Sequence, residues 1–288
     1  MVKKAKPFNF TSQMKFLFLT VCQFLLLQQP LRAQLVSDMD ETKLYAQTKQ
    51  VNQFFRRFNG EENEKGDRYY ENDKQYRTLK LRKKYLEILF DAANKGMSAE
   101  LKSQFTKEVL DKSAPIFLDF HGTDWFCETS TTFASQEKEQ AITLFMELEK
   151  AQLGYKWVIS NVYADAFIKS FKRDTTKVGK FLHPLSHELD FLNLHKAFNT
   201  TDSISQYAAK RFLPDQLTLF LYEVQKGNLK YKTVNEIKFH FFQVKGWYFE
   251  LTNINRSGYN TGWLISNLVE LKTAKDTEVM KRFLYESR

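Results

Sequence analysis

The chain has very little of the residues that make flexible linkers or cross-links. Its 288 residues include only 10 Gly, 5 Pro and 2 Cys, while 43% of them are hydrophobic. So little Gly and Pro argues against long linkers and low-complexity segments, and the hydrophobic content suffices for a sizeable core. The sequence also lacks Gly-rich phosphate loops, Rossmann fingerprints, Gly-x-Ser-x-Gly elbows and Cys-x-x-Cys pairs. Nucleotide-dependent chemistry is therefore not indicated, and no cofactor is expected.

The N-terminal segment, residues 1–33, contains no acidic residue but carries much of the net positive charge of the chain. The formal net charge is +9, and five of these charges belong to Lys3, Lys4, Lys6, Lys15 and Arg32. The rest of the chain carries only +9 less these five charges, or +4. A balance this small does not favour a nucleic-acid partner.

The same segment has the basic, apolar and polar order of a secretory signal. Four lysines precede an apolar run over residues 16–27, which is shorter than the roughly 20 residues that cross a bilayer as a helix. We predict cleavage after Ala33, so that residues 1–33 are a signal peptide, with Met14 as an alternative start to Met1. The mature chain then has no transmembrane span, and the protein is exported to the periplasm or the cell surface.

The two cysteines lie far apart. Cys22 falls within the apolar run, and Val21 before it is larger than the residue that a lipoprotein signal normally has there. Only Cys127 then remains in the mature chain, so that an internal disulfide is impossible. We interpret Cys127 as a buried small residue on a strand, with an intermolecular bridge or a reactive thiol as the alternatives.

The most informative feature is an internal duplication. Residues 154–162 and 258–268 share the core Trp-[Val/Leu]-Ile-Ser-Asn-[Val/Leu], and a fainter echo relates residues 54–62 to 194–202. Each copy starts with a helix and ends with strands. The sequence therefore predicts a first repeat over residues 34–178 and a second over residues 179–288.

Hydrophobic periodicity supports this organisation. Alternation of apolar and polar residues predicts strands over residues 125–133, 142–148, 237–241 and 247–251, each with one buried face. Helical spacing predicts helices around Phe58 and Phe198, together with a helix over residues 76–93. Short turns between successive strands indicate antiparallel meanders. The expected class is α+β, and the first repeat carries a helical insertion at about residues 60–95.

Helices leading into long strands, with a last strand of the Gly-x-x-Trp-x-Ile type, resemble the nuclear-transport-factor-2-like superfamily. Residues 154–162 and 258–268 carry this resemblance. It implies two tandem cone-like units, each with helices packed on a curved antiparallel sheet around a pocket. Members include isomerases and dehydratases as well as noncatalytic ligand-binding and assembly domains, and tandem copies are found in exported cell-envelope proteins. The Ala33-Gln34 cleavage site is also similar to those of exported Bacteroidetes proteins.

Two groups of residues are candidates for chemistry. Asp119 and His121 are the acid/base pair that we would test if one pocket is enzymatic, because proton transfer needs groups that titrate near working pH. The turn expected at residues 122–124 argues against a strand that aligns them with Cys127. Three histidines suggest a metal site, but their spacing fits a solvated linker and a helix start better, so no metal is expected; they are His183, His187 and His195.

Two further groups are candidates for binding. Four tryptophans on predicted strands would form either a ligand-stacking wall or ordinary core, and these are Trp125, Trp157, Trp247 and Trp263. Five basic residues on the 76–93 helix would form either an anionic-surface site or a solvated helix face, and these are Arg77, Lys80, Arg82, Lys83 and Lys84.

These observations favour an exported cell-envelope protein that is a noncatalytic binding or assembly module. Its partner is expected to be another envelope protein or a second copy of itself. The alternative is a small-molecule-binding protein, or an isomerase- or dehydratase-like enzyme, that uses a pocket in one repeat.

Overall fold

The structure is a computed structural model that describes residues 50–135, 138–171, 215–258 and 260–286. All of these belong to one compact unit, residues 42–288. The predicted signal peptide, the three candidate histidines and the predicted helix around Phe198 lie outside the described residues.

The described helices are α1 (Val51–Asn59), α2 (Leu79–Leu89), α3 (Ala99–Val109), α4 (Asp165–Phe171), α5 (Gln216–Gln225) and α6 (Ala274–Glu286). Side-chain caps define two of their starts, because Ser98 accepts a hydrogen bond from the backbone of Leu101 and Asp215 accepts one from Leu217. α2 is shorter than the predicted 76–93 helix. Phe90 leaves the helical conformation and forms a bridge to Ile265, so that the sheet ends this helix early.

The strands are β1 (Trp125–Ser135), β2 (Lys138–Ala151), β3 (Gly154–Tyr163), β4 (Lys230–Phe241), β5 (Trp247–Ile254) and β6 (Gly262–Glu270). They form one sheet in the order β3-β2-β1-β4-β5-β6, with every neighbouring pair antiparallel. The predicted α+β class is confirmed, and each of the four predicted strands is present.

The two copies of the duplicated pattern contribute equally to this sheet. β1 to β3 and β4 to β6 are two meanders, which pair along β1 and β4 at the centre of a continuous six-stranded sheet. The further division into two cone-like units stays a prediction.

A matching irregularity in β3 and β6 supports the duplication. The register of β2 with β3 skips Ser160, and that of β5 with β6 skips Ser266. Each serine occupies the same place in the repeated Trp-[Val/Leu]-Ile-Ser-Asn motif. Each hydroxyl also reaches a backbone carbonyl of the neighbouring strand, at 3.4 Å from Phe145 O and 3.3 Å from Glu250 O. The motif therefore encodes a β-bulge in both copies.

The first face of the sheet carries the main core and packs against α1, α2 and α3. Phe241 and Phe249 stack across β4 and β5 at 4.7 Å between ring centroids, and Phe54 of α1 lies 6.0 Å from Phe241. Phe105 of α3 meets Phe249 edge-on at 5.7 Å. Burying one such ring contributes roughly 2–3 kcal/mol, so these rings dominate the attachment of the helices to the sheet.

The second face of the sheet is also buried at its centre, which differs from the expected burial of one face only. Phe126 of β1 stacks on Tyr285 of α6 at 5.0 Å, and Leu284 of the same helix is buried in this cluster. By the alternation within β4 and β5, His240 and Tyr248 lie on the side of the sheet opposite to Phe241 and Phe249. Because α6 covers that side, both are fully buried. None of the helices in the described ranges is long and apolar enough to cross a membrane.

Candidate functional site

Three of the four candidate tryptophans converge on the first face of the sheet. Trp125 of β1 meets Trp157 of β3 edge-on at 5.5 Å between ring centroids. Phe239 of β4 lies 6.0 Å from Trp125 and 4.9 Å from Trp263 of β6. Strands from both copies thus build one aromatic wall, defined by Trp157, Trp125, Phe239 and Trp263.

The residues of this wall differ in exposure, and three of the four belong to the buried core. Trp157 is 38% exposed at the outer end of the wall, whereas Trp125 is 4% exposed. The indole nitrogen of Trp125 has no hydrogen-bond acceptor in the described part of the protein. A buried N–H without an acceptor is uncommon and costs roughly 1–3 kcal/mol; because this nitrogen is buried, a ligand would contact it only after neighbouring side chains move.

Trp247 does not belong to the wall. Its indole N–H donates to a carboxylate oxygen of Glu108 at 2.7 Å, and its ring meets Phe105 edge-on at 5.3 Å. This tryptophan anchors α3 on the sheet, which corresponds to the packing interpretation of its role.

The strand at the Trp157 end of the wall is exposed. β3 is an outer strand, and Tyr155, two residues before Trp157, is 45% exposed. The ring of His121 stacks on Tyr155 at 4.2 Å. Leu153 in the preceding turn is fully exposed. Apolar side chains that are exposed together at a sheet edge are typical of an interaction surface.

Asp119 and His121 lie in an exposed turn before β1. The Asp119 carboxylate accepts a hydrogen bond from the backbone N–H of His121 at 2.9 Å, and the backbone of Gly122 closes the turn on Asp119 O at 3.2 Å. Gln243 ties this turn to the end of β4 by donating to Asp119 O at 2.7 Å. Across the described residues, no hydrogen bond joins the two side chains. The turn expected at residues 122–124 is present, and β1 begins after it.

Cys127 is buried on β1, with its sulfur 3.4 Å from the hydroxyl of Thr129. Burial raises the pKa of the Cys127 thiol to about 11. The thiol is therefore protonated near neutral pH and is a poor nucleophile. This environment favours the interpretation as a packed small residue over that as a reactive thiol.

A modification experiment tests this. In a chain with Cys22→Ser, we expect a maleimide at pH 8 to modify Cys127 at least about tenfold more slowly in the folded protein than in urea, because the thiol is buried and protonated. Mass spectrometry of quenched samples measures both rates. Equal rates in the two states would show that the thiol is accessible and would contradict the packing interpretation.

Most of the five basic candidates have partners within the protein. Arg77 pairs with Glu61 at 2.6 Å, and Lys84 pairs with Glu64. Arg82 is 2% exposed, and its guanidinium donates to the carbonyls of three separate segments, which belong to Phe58, Val109 and Ile116. Lys80 and Lys83 are exposed. The five residues therefore do not form one open basic surface.

Sequence reasoning missed a buried polar network on the second face. His240 Nε2 lies 2.8 Å from a carboxylate oxygen of Glu128, and His240 Nδ1 lies 2.8 Å from the hydroxyl of Tyr248. All three side chains are at most 1% exposed. Each ring nitrogen of His240 therefore has a polar partner, and a second carboxylate, that of Glu250, lies 4.0 Å from Nδ1. The alternation within each strand predicts that these three residues share the second face of the sheet. It does not predict their burial, which depends on the helix α6 that packs on this face.

This network binds sheet strands together, and its burial excludes a substrate from direct contact with the imidazole. No group of three or more His, Cys, Asp or Glu side chains in the described ranges is arranged to hold a metal ion. Comparisons with models of protein families, with curated proteins and with solved structures found no match to this chain.

Proposed function

We propose that the chain is an exported, noncatalytic assembly module of the cell envelope, which binds an extended segment of a partner protein along β3. One observation carries this proposal: the two outer strands share a sequence motif, but within the described ranges a further segment pairs with the outer edge of β6 and none pairs with that of β3.

The outer edge of β6 is covered from within the chain. Phe90 forms a parallel bridge with Ile265, and the backbone N–H of Asp91 donates to Ile265 O at 2.9 Å. The side-chain amide of Asn94 donates to Ser266 O at 2.6 Å. The segment after α2 therefore acts as a short additional strand on the second copy.

No described segment pairs with the equivalent edge of β3 as a strand, although α5 packs against the second half of β3 through Ile159 and Val162. Ile265 and Ser266 of β6 correspond to Ile159 and Ser160 of β3, and Ser160 is exposed. An outer strand with unpaired backbone groups is a template for another strand. An extended partner segment at this edge would repeat what residues 90–94 do at the other.

The side chains along β3 would add specificity to the backbone pairing. In strand addition, main-chain hydrogen bonds supply affinity while contacts of alternate side chains select the partner. Tyr155 and Trp157 alternate in this way and are both exposed. Exposed tyrosine and tryptophan are the residues that most often carry binding energy at protein interfaces. The predicted signal peptide supports a partner in the cell envelope.

Site-specific photo-cross-linking tests the proposal. A benzophenone side chain in place of Lys156, between the two aromatic residues, should yield one product of defined mass in envelope fractions. We expect Trp157→Ser to lower its yield at least about tenfold, because a central aromatic contact contributes about 2 kcal/mol or more. Tyr70→Ser is the matched control, since Tyr70 is exposed in the loop before α2, away from β3.

The outcomes separate the possible occupants of β3. Slower amide exchange of residues 154–157 in the purified complex would support strand addition. A product with the mass of two copies of this chain would show that a second copy, and not another protein, binds at β3. The absence of any product that depends on Trp157 would contradict the proposal.

A second candidate function is small-molecule binding at the outer end of the aromatic wall, where Trp157 is 38% exposed. A molecule retained by the purified protein in native mass spectrometry, with no cross-linked partner, would favour this alternative.

A further inference from the structure

A groove separates the outward sides of α2 and α3, away from the aromatic wall and from β3. Its volume is about 760 Å³, which lies in the range of small-molecule sites. The groove runs between helices whose opposite sides form the core, where Tyr85 and Leu86 of α2 and Phe105 of α3 are fully buried. Its walls are thus held by rigid, well-packed elements.

Apolar side chains form much of the groove. Leu79 lies at the start of α2, Phe90 and Ala92 follow its end, and Ala99 and Leu110 lie at the two ends of α3. Leu79 is 42% exposed. On the α3 side the lining residues recur with helical spacing, at positions 99, 102, 103, 106, 107 and 110. One continuous side of this helix therefore faces the groove.

The charges around this groove are mainly positive. Lys83 of α2 and Lys102 and Lys107 of α3 line it, and Glu87 is the carboxylate among the lining residues. In the part of the chain that the structure describes, none of the three lysines forms an ion pair within 4 Å, although the carboxylate of Asp111 just after α3 is close enough to interact with the charge of Lys107. The Lys102 ammonium instead lies 5.7 Å from the centroid of the Phe90 ring, within reach of a cation–π contact.

We propose that this groove binds a single-chain amphiphile with an anionic head group, of the fatty-acid class. The apolar side chains would contact the hydrocarbon tail, and the lysines would contact the head group through charge-assisted hydrogen bonds. An uncharged apolar ligand would leave the positive charges without a role, and a cationic one would be repelled. This site is independent of the strand addition proposed for β3.

Three ligands that share a twelve-carbon tail test the proposal by isothermal titration of the purified protein below their micelle concentrations. These are dodecanoate, dodecyltrimethylammonium and dodecyl maltoside. We expect dodecanoate to bind with one-to-one stoichiometry and at least about tenfold more tightly than the cationic and uncharged ligands, because charge-assisted contacts exceed neutral ones.

Variants locate the site. We expect the triple variant Lys83→Gln, Lys102→Gln and Lys107→Gln to weaken dodecanoate binding at least about tenfold. Ala99→Phe, at an exposed position that lines the groove, should block the tail without removing a charge. Lys275→Gln, on the exposed surface of α6, is the matched control and should leave binding unchanged. Circular dichroism checks that each variant is folded.

Four results would overturn the proposal. These are equal affinity for the anionic and cationic ligands, binding that the triple variant and Ala99→Phe leave unchanged, the absence of dodecanoate binding, and binding of anionic phospholipid vesicles without binding of dodecanoate. The last of these would identify the lysines as a membrane-surface contact. A failure of cross-linking at β3 would leave the titration result untouched, so the two proposals fail separately.

Discussion

Replacing Arg82 by leucine is expected to lower the free energy of unfolding by about 3–5 kcal/mol, which urea denaturation followed by circular dichroism measures. The guanidinium donates to Phe58 O at 3.4 Å at the end of α1, to Val109 O at 3.3 Å at the end of α3, and to Ile116 O in the loop after α3. Leucine would leave these carbonyls without this donor in a buried site.

The charge of Arg82 persists despite its burial. Burial, followed by the nearby Arg77, lowers the pKa of Arg82 to about 10, so that the guanidinium remains protonated at neutral pH. Its central carbon lies 4.2 Å from the centroid of the Phe117 ring, which adds a cation–π contact. Arg82 therefore joins three segments of the helical layer, whereas the sequence suggested either an anionic-surface site or a solvated helix face for it.

The matched control is Lys80→Leu, two positions earlier on the same helix and exposed. A surface substitution of this kind should change the free energy of unfolding by no more than about 0.5 kcal/mol. Similar losses for the two variants would show that the carbonyl contacts of Arg82 contribute little.

Glu128→Leu is expected to lower the free energy of unfolding by about 3 kcal/mol, because the buried imidazole of His240 loses the carboxylate 2.8 Å from Nε2. Chemical denaturation measures this loss. Glu128→Gln keeps an acceptor at that position, so its loss should be smaller. Glu139→Leu on the exposed part of β2 is the matched control and should have little effect.

A double-mutant cycle tests whether the network acts as a unit. We expect Glu128→Leu with His240→Leu to destabilise the protein by about 1–3 kcal/mol less than the sum of the single variants, because the double variant leaves no unpaired imidazole. Additive losses would contradict coupling between the two side chains.

The strands could be predicted from the sequence because their signal is local. Alternating residues such as Ile142, Leu144 and Met146 need only a two-residue period to identify β2. The repeated Trp-[Val/Leu]-Ile-Ser-Asn motif likewise marked β3 and β6, and its serines mark the same bulge in each. The helices α3, α4, α5 and α6 were not predicted, although capping at Ser98 offered a signal for the start of α3.

The candidate site could be predicted only in part. Tryptophans on strands suggested a wall, but which of them meet depends on the pairing of β1 with β4 and on the sheet order. Trp247 is a strand tryptophan like Trp263, yet it contacts Glu108 of α3 and not the wall. A strand pattern fixes which residues share a face but leaves open which other element covers that face.

The sequence by itself determined the α+β class, the duplicated meander and the buried place of Cys127, because periods of two residues and a repeated motif act over a few neighbouring residues. Only the tertiary structure decided that the two meanders form one sheet, that Arg82 and His240 are buried, and that residues 90–94 contact the outer edge of β6. These properties depend on contacts between segments far apart in the chain, such as Phe90 with Ile265 and Glu128 with His240. Local patterns do not encode such pairings.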